Sequence, residues 1–97
     1  MAGMDITVVD NPDLNRFEAL LPTGEVAGFA AYKKSEHRLV LTHTEVFDRY
    51  EGQGVGSTLA KGSLDLVRES GAALKVLCPF ITKYIQRHPE YADLVQA

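Results

Sequence analysis

The chain reads as an α/β (α+β) fold on a mixed sheet: an antiparallel N-terminal meander, then a parallel β-α-β unit and a C-terminal helix. Three features lead to this expectation. Four strand-like runs fill the first half and are separated only by turn residues. A strong helical periodicity then occupies Val55 to Ser70. A fifth apolar run, Ala73 to Cys78, comes at once after it.

Ile6 to Val9 is short and β-branched, and Asn11-Pro12-Asp13 closes it with a turn signal. Asn15 to Leu21 is the second run, with Phe17 and Ala19 on one face and Glu18 and Leu20 on the other. Pro22-Thr23-Gly24 turns the chain again. Glu25 to Lys33 is the third run, long and rich in small residues, and its Gly28 marks a bulge or a close backbone approach. Lys34-Ser35-Glu36-His37 is a polar turn, and Arg38 to Phe47 is the fourth run. Connections this short make neighbouring strands antiparallel.

Asp48 to Gly56 is a polar, glycine-rich loop. At about 100° per residue, Val55, Leu59, Ala60, Ser63, Leu64, Leu66 and Val67 share one half of the following helix. Ser57, Thr58, Lys61, Asp65, Arg68 and Glu69 fill the other half, and Gly71 supplies the stop. Pro79 suits the first turn of a helix running to Arg87. Pro89 interrupts it, and Glu90 to Val95 forms a last short turn or helix. The fourth strand, loop, helix and fifth strand take about 40 residues, from Arg38 to Cys78, so those two strands should be parallel and the crossover right-handed.

Composition bounds the function. Residues 1–97 are expected to form one domain, at about two-thirds of the usual domain size. The chain is 45% hydrophobic and 24% charged, which excludes a disordered or collagen-like chain. A net charge of −3 argues against nucleic-acid binding, because phosphate backbones select clustered Lys and Arg. The same charge is too small to choose an acceptor by steering. One cysteine, Cys78, excludes an internal disulfide. Three histidines and one cysteine show no metal-ligand spacing. No run approaches the roughly 18 apolar residues of a membrane span. Met1 to Asp5 carries no basic cluster ahead of an apolar stretch, so no secretory signal and a cytoplasmic protein are expected. Oligomeric state is left open.

Gly52-x-Gly54-x-Gly56 lies between a strand and a helix N-terminus. Glycines turn the backbone tightly and leave its N–H groups unshielded. A helix start adds free donors and a partial positive charge, which together suit a phosphate. The dinucleotide and Walker patterns do not fit, since Ser57 stands where the first needs Gly and the second Lys. A sharp strand-to-helix turn with no ligand is the alternative reading.

The loop resembles motif A of the GNAT N-acetyltransferase superfamily, through Glu51-Gly52-Gln53-Gly54-Val55-Gly56. With His43-Thr44-Glu45-Val46, Cys78-Pro79-Phe80 and His88-Pro89-Glu90-Tyr91, the chain is similar to the minimal GNAT-like family, over nearly its whole length. The resemblance implies an acetyl-coenzyme A site. The amides of Gly52, Gln53, Gly54, Val55, Gly56 and Ser57 would hold pyrophosphate, and the strand at Val46 would pair with the pantetheine arm. Glu51 departs from the family pattern, which has Arg or Gln there, and a carboxylate repels phosphate. No helices fit between Val9 and Asn15, where larger relatives shape the acceptor site.

Acyl transfer needs a nucleophile, a base and donors for the developing oxyanion. In a regular strand Leu39, Leu41, His43, Glu45 and Phe47 point one way, so His43 and Glu45 share a face just before the loop. Either could take a proton from an amine; the alternative is a sheet histidine beside a solvated rim charge. Cys78 precedes the helix at Pro79, where donors and a positive field favour thiolate. It is either an acetyl-carrying nucleophile, which the resemblance supports, or a buried apolar cysteine. Tyr84, six residues on, is a candidate acid for the leaving thiolate by resemblance, or a packing residue. Lys61, Lys83 and Arg87 are candidates for the cofactor's terminal phosphate, or a solvated face. His88 to Tyr91 is expected to end and dock the last helix. The expected activity is a small acetyl-CoA-dependent N-acetyltransferase acting on an amine; the alternative is a non-catalytic coenzyme A-binding module.

Overall fold

The computed structural model describes residues 5–95. The expectation of no secretory signal from Met1 to Asp5 falls outside them except at Asp5. Strands β1 (Thr7–Asn11), β2 (Arg16–Leu20), β3 (Val26–Ser35) and β4 (Arg38–Val46) are followed by a 3-10 turn, Asp48–Tyr50. Then come helix α1 (Val55–Ser70), strand β5 (Ala73–Val76), helix α2 (Pro79–Arg87) and a 3-10 helix, Pro89–Leu94. The sheet order is β1-β2-β3-β4-β5. The first three pairings are antiparallel and β4–β5 is parallel, as the connection lengths require.

The helices keep their expected limits, because glycine and proline mark them. Gly71 takes φ 75° at the end of α1, and Pro79 opens α2. Strand limits differ more. β1 runs on to Asn11, where the turn before β2 uses Asn15 at φ 53°. β5 stops at Val76, two residues short of Cys78, because the chain leaves the ladder to enter α2.

α1 covers one face of the sheet. Its Val55, Leu59, Ala60, Leu64 and Val67 meet Phe17, Ala19, Ala30, Leu39, Leu41 and Leu74, all buried. The contact is close enough to need glycine. A Cβ at Gly62 would lie 2.5 Å from the Val8 side chain; within the sheet, one at Gly28 would lie 2.6 Å from the Glu45 carbonyl oxygen of β4. The close approach expected at Gly28 is therefore present, beside a register slip between β2 and β3.

α2 and the 3-10 helix lie on the same side, beside α1. The Tyr91 hydroxyl donates to Asp65 at 2.7 Å, and Arg68 donates to both carboxylate oxygens of Asp93, at 2.9 and 3.0 Å. His88 to Tyr91 thus ends α2 and docks the 3-10 helix against α1. The opposite face of the sheet, at His43, Glu45, Lys33, Arg38 and Lys75, is exposed.

Pairing between β3 and β4 slips by one residue, so Thr42 is an extra residue in β4. Leu39 and Leu41 point at α1 and are buried, whereas His43 and Glu45 emerge on the opposite face. The sequence pattern put all four on one face. A bulge shifts the alternation, and no residue type at Thr42 announces it.

Candidate active site

β4 and β5 part at this bulge. The last rung is the Leu77 N–H donating to the Leu41 carbonyl at 2.9 Å. Beyond it, β4 as far as Val46 has no ladder partner on its β5 side among the described residues. Two local causes act. The bulge bends β4, and Pro79 lacks an N–H and starts a helix instead of extending β5. At the root of the resulting wedge the Cys78 thiol donates to Thr44 Oγ1 at 3.1 Å. Cys78 is 3% exposed and is the N-cap residue of α2.

The glycine loop sits at the wide end of the wedge. Tyr50 is buried and anchors the 3-10 turn that closes β4. Gly52 and Gly54 both take φ 80°, a conformation that costs a residue with a Cβ about 1–2 kcal/mol. Gly54 is the N-cap of α1, and its carbonyl accepts from the Thr58 N–H at 3.1 Å. The backbone N–H groups of Gly52, Gln53, Gly54, Val55, Gly56 and Ser57 have no hydrogen-bond partner among the described residues. Gly56 has a packing reason of its own, because a Cβ there would lie 2.9 Å from the tip of the Phe80 ring. Glu51 is exposed at the loop.

Tyr84 belongs to a different place. With Ser57, Phe80, Lys83, Arg87 and His88 it lines a cleft of about 170 Å³ between the start of α1 and α2. Its ring stacks on His88 at 4.1 Å. Burial pushes its phenol pKa up, against the pull of the Lys61 charge. Lys83 and Arg87 therefore line this cleft, whereas Lys61 faces another, beside Val8 and Gly62, and pairs with Asp65 at 2.9 Å.

His43 Nε2 lies 3.4 Å from Glu45 Oε1, so the two share a face as expected, with the His43 ring edge-on to Phe29 at 6.2 Å. They stand on the sheet face opposite Thr44 and Cys78. Glu18 is the buried charge of that outer face, 7% exposed, and it accepts from Arg16 Nε at 2.8 Å and Asn11 Nδ2 at 3.2 Å. Arg16 also lies 4.6 Å over the Phe29 ring. Sequence reasoning missed Thr44 as the partner of Cys78, and missed the Arg16–Glu18–Phe29 group. These pairings lie across strands, and only the register brings them together.

A family model described as GCN5-related N-acetyltransferase matches residues 16–94. The chain belongs to that family. Among curated relatives, Protein NATD1 of Mus musculus is 40% identical over 58 residues, covering 58% of this chain and 53% of the relative. Streptothricin acetyltransferase of Streptomyces lavendulae is 35% identical over 72 residues, covering 72% of this chain and 38% of the relative. This chain spans about half the length of the NATD1 relatives it matches. The solution structure of a GCN5-like protein from Staphylococcus aureus shares the fold with TM-score 0.66 at 22% identity, covering 100% of this chain and 92% of that one. No helix among the described residues is long and apolar enough to cross a membrane.

Proposed function

We propose that residues 1–97 form one domain that transfers an acetyl group from acetyl-CoA to an amine. One observation carries this reading: a run of unpartnered main-chain N–H groups at the start of α1, beside a parted pair of parallel strands. A helix start of this kind takes a phosphate, and an unpaired strand edge takes an amide-bearing arm. The amides of Gly52 to Ser57 would hold the pyrophosphate, and the free edge of β4 at Val46 would meet the pantetheine. When bound, acetyl-CoA supplies an activated acyl carbon as a thioester.

His43 or Glu45, on the open sheet face, takes the proton that an ammonium must lose before it attacks. The amine nitrogen then bonds to the carbonyl carbon, the carbon–sulfur bond breaks, and the coenzyme sulfur takes up a proton. Tyr84, whose phenol pKa burial raises, stands by resemblance as a candidate proton donor, and its cleft lies on the α1–α2 side. A second route runs through Cys78, whose sulfur would accept the acetyl group and pass it on. That route requires Cys78 to release its contact with Thr44. A cytoplasmic setting, expected from the sequence, would keep this thiol reduced.

The test is twofold. Coenzyme A at saturation must raise the melting temperature, and acetyl-CoA must be consumed only with an amine present. Stabilisation without consumption leaves a coenzyme A-binding module, a reading that the Glu51 carboxylate beside the loop favours. Absence of both effects overturns both readings.

A further inference from the structure

We propose that the open sheet face selects an acceptor amine bearing an anionic group, carboxylate or phosphate, at the far end of its chain from the nitrogen. This rests on the acetyltransferase reading above and names its substrate class. The register places Lys33, Val40 and Lys75 in one row across β3, β4 and β5. Alternation puts Lys33 and Lys75 on the face opposite the buried Leu39 and Leu74, and Arg38 lies on that face two residues before Val40. Two strand spacings separate Lys33 from Lys75 by about 10 Å. All three cations are exposed, and none has a carboxylate within ion-pair distance among the described residues. Three unpaired cations on one small area stand out in a chain of net charge −3.

The same face carries the opposite charge at its other end. Glu45 and His43 stand beside the wedge, three to five residues along β4 from Val40, and Phe29 offers a ring between them and Glu18. Glu18 is already satisfied by Arg16 and Asn11, so Glu45 is the carboxylate open to an ammonium. A ligand with both charges, amine toward Glu45 and anion toward Lys33, Arg38 and Lys75, matches both ends at once. A diamine would meet the cations, and a plain alkylamine would leave them unmatched.

The probes are 6-aminohexanoate and 6-aminohexyl phosphate, compared with n-hexylamine and 1,6-diaminohexane. Binding to coenzyme A-loaded protein is read from backbone amide NMR shifts, which need no turnover. The expected result is shifts at Lys33, Arg38, Lys75 and His43 with the anionic amines, which bind about tenfold more tightly than the other two. The K33Q/R38Q/K75Q variant should lose that tenfold preference while keeping its stabilisation by coenzyme A. The two anionic probes rank carboxylate against phosphate. Equal binding of n-hexylamine, or an unchanged preference in the variant, overturns the proposal. Selective binding without acetyl transfer would instead sink the enzymatic reading and leave the anion preference standing.

Discussion

Gly54 shows how a single residue serves both the fold and the site. Its φ of 80° turns the chain into α1, whose first N–H groups have no partner among the described residues. Gly54→Ala is expected to cost about 1–2 kcal/mol from left-handed strain alone. In a chain of this size that lowers the melting temperature by roughly 4–8 °C per kcal/mol, and the rise given by coenzyme A should shrink as well. Thermal denaturation with and without coenzyme A checks both; a variant as stable as the parent removes the strain argument. Cys78 is the second telling residue, because its thiol is buried and donates to Thr44. If transfer is direct, Cys78→Ser retains turnover, and intact-mass measurement after incubation with acetyl-CoA shows no acetyl adduct at position 78. An adduct on the parent, together with loss of turnover in Cys78→Ser, assigns the covalent route.

Among the elements, α1 sets the geometry of everything else. Its apolar stripe was legible because a helix repeats every 3.6 residues whatever lies beneath it. Its closeness to β1 was not legible, since Gly62 and Val8 meet only in the folded chain. Gly62→Ala should cost about 1–3 kcal/mol by overpacking, and pairing it with Val8→Ala should recover part of that loss. A double-mutant cycle in urea measures the coupling; additive losses would refute the contact. On its outer side α1 holds the C-terminal 3-10 helix through Asp65. Burial raises the Asp65 pKa, but hydrogen bonds from Tyr91 and Lys61 outweigh it and hold the carboxyl below its ordinary 3.8. A depressed folded pKa stabilises the protein above 3.8, and that contribution is lost as pH falls through the folded value. The Tyr91 phenol, pushed up to about 12 by burial and by Asp65, acts in the opposite sense. Its contribution is complete below pH 10 and disappears as pH rises through 12. Tyr91→Phe should therefore cost about 1 kcal/mol at neutral pH and flatten the alkaline limb of a stability profile. An unchanged alkaline limb would detach Tyr91 from that loss.

At the level of the molecule, one sheet face is sealed by helices and the other is left to solvent. Stability should therefore be insensitive to the open face. K33Q/R38Q/K75Q is expected to stay within about 0.5 kcal/mol of the parent, because exposed side chains away from packed contacts contribute little. A larger loss in urea denaturation would mean that this face is engaged in the folded state. The division also sorts the proposed chemistry. The amides of Gly52 to Ser57 and Cys78 lie with the helices, while His43, Glu45 and the cation row lie on the open side, and the parted strands join the two.

The order of elements, the limits of both helices, the glycine loop and the parallel crossover could all be read from the residues in line. They obey local rules: periodicity, residues that break helices, and the length of chain needed to reverse direction. The face that His43 and Glu45 occupy, the meeting of Thr44 with Cys78, and the alignment of Lys33 with Lys75 emerge only in the folded sheet. A one-residue slip at Thr42 reverses every later side chain in β4, and cross-strand partners depend on register. Register is fixed by packing over the whole sheet, which no short window of sequence contains.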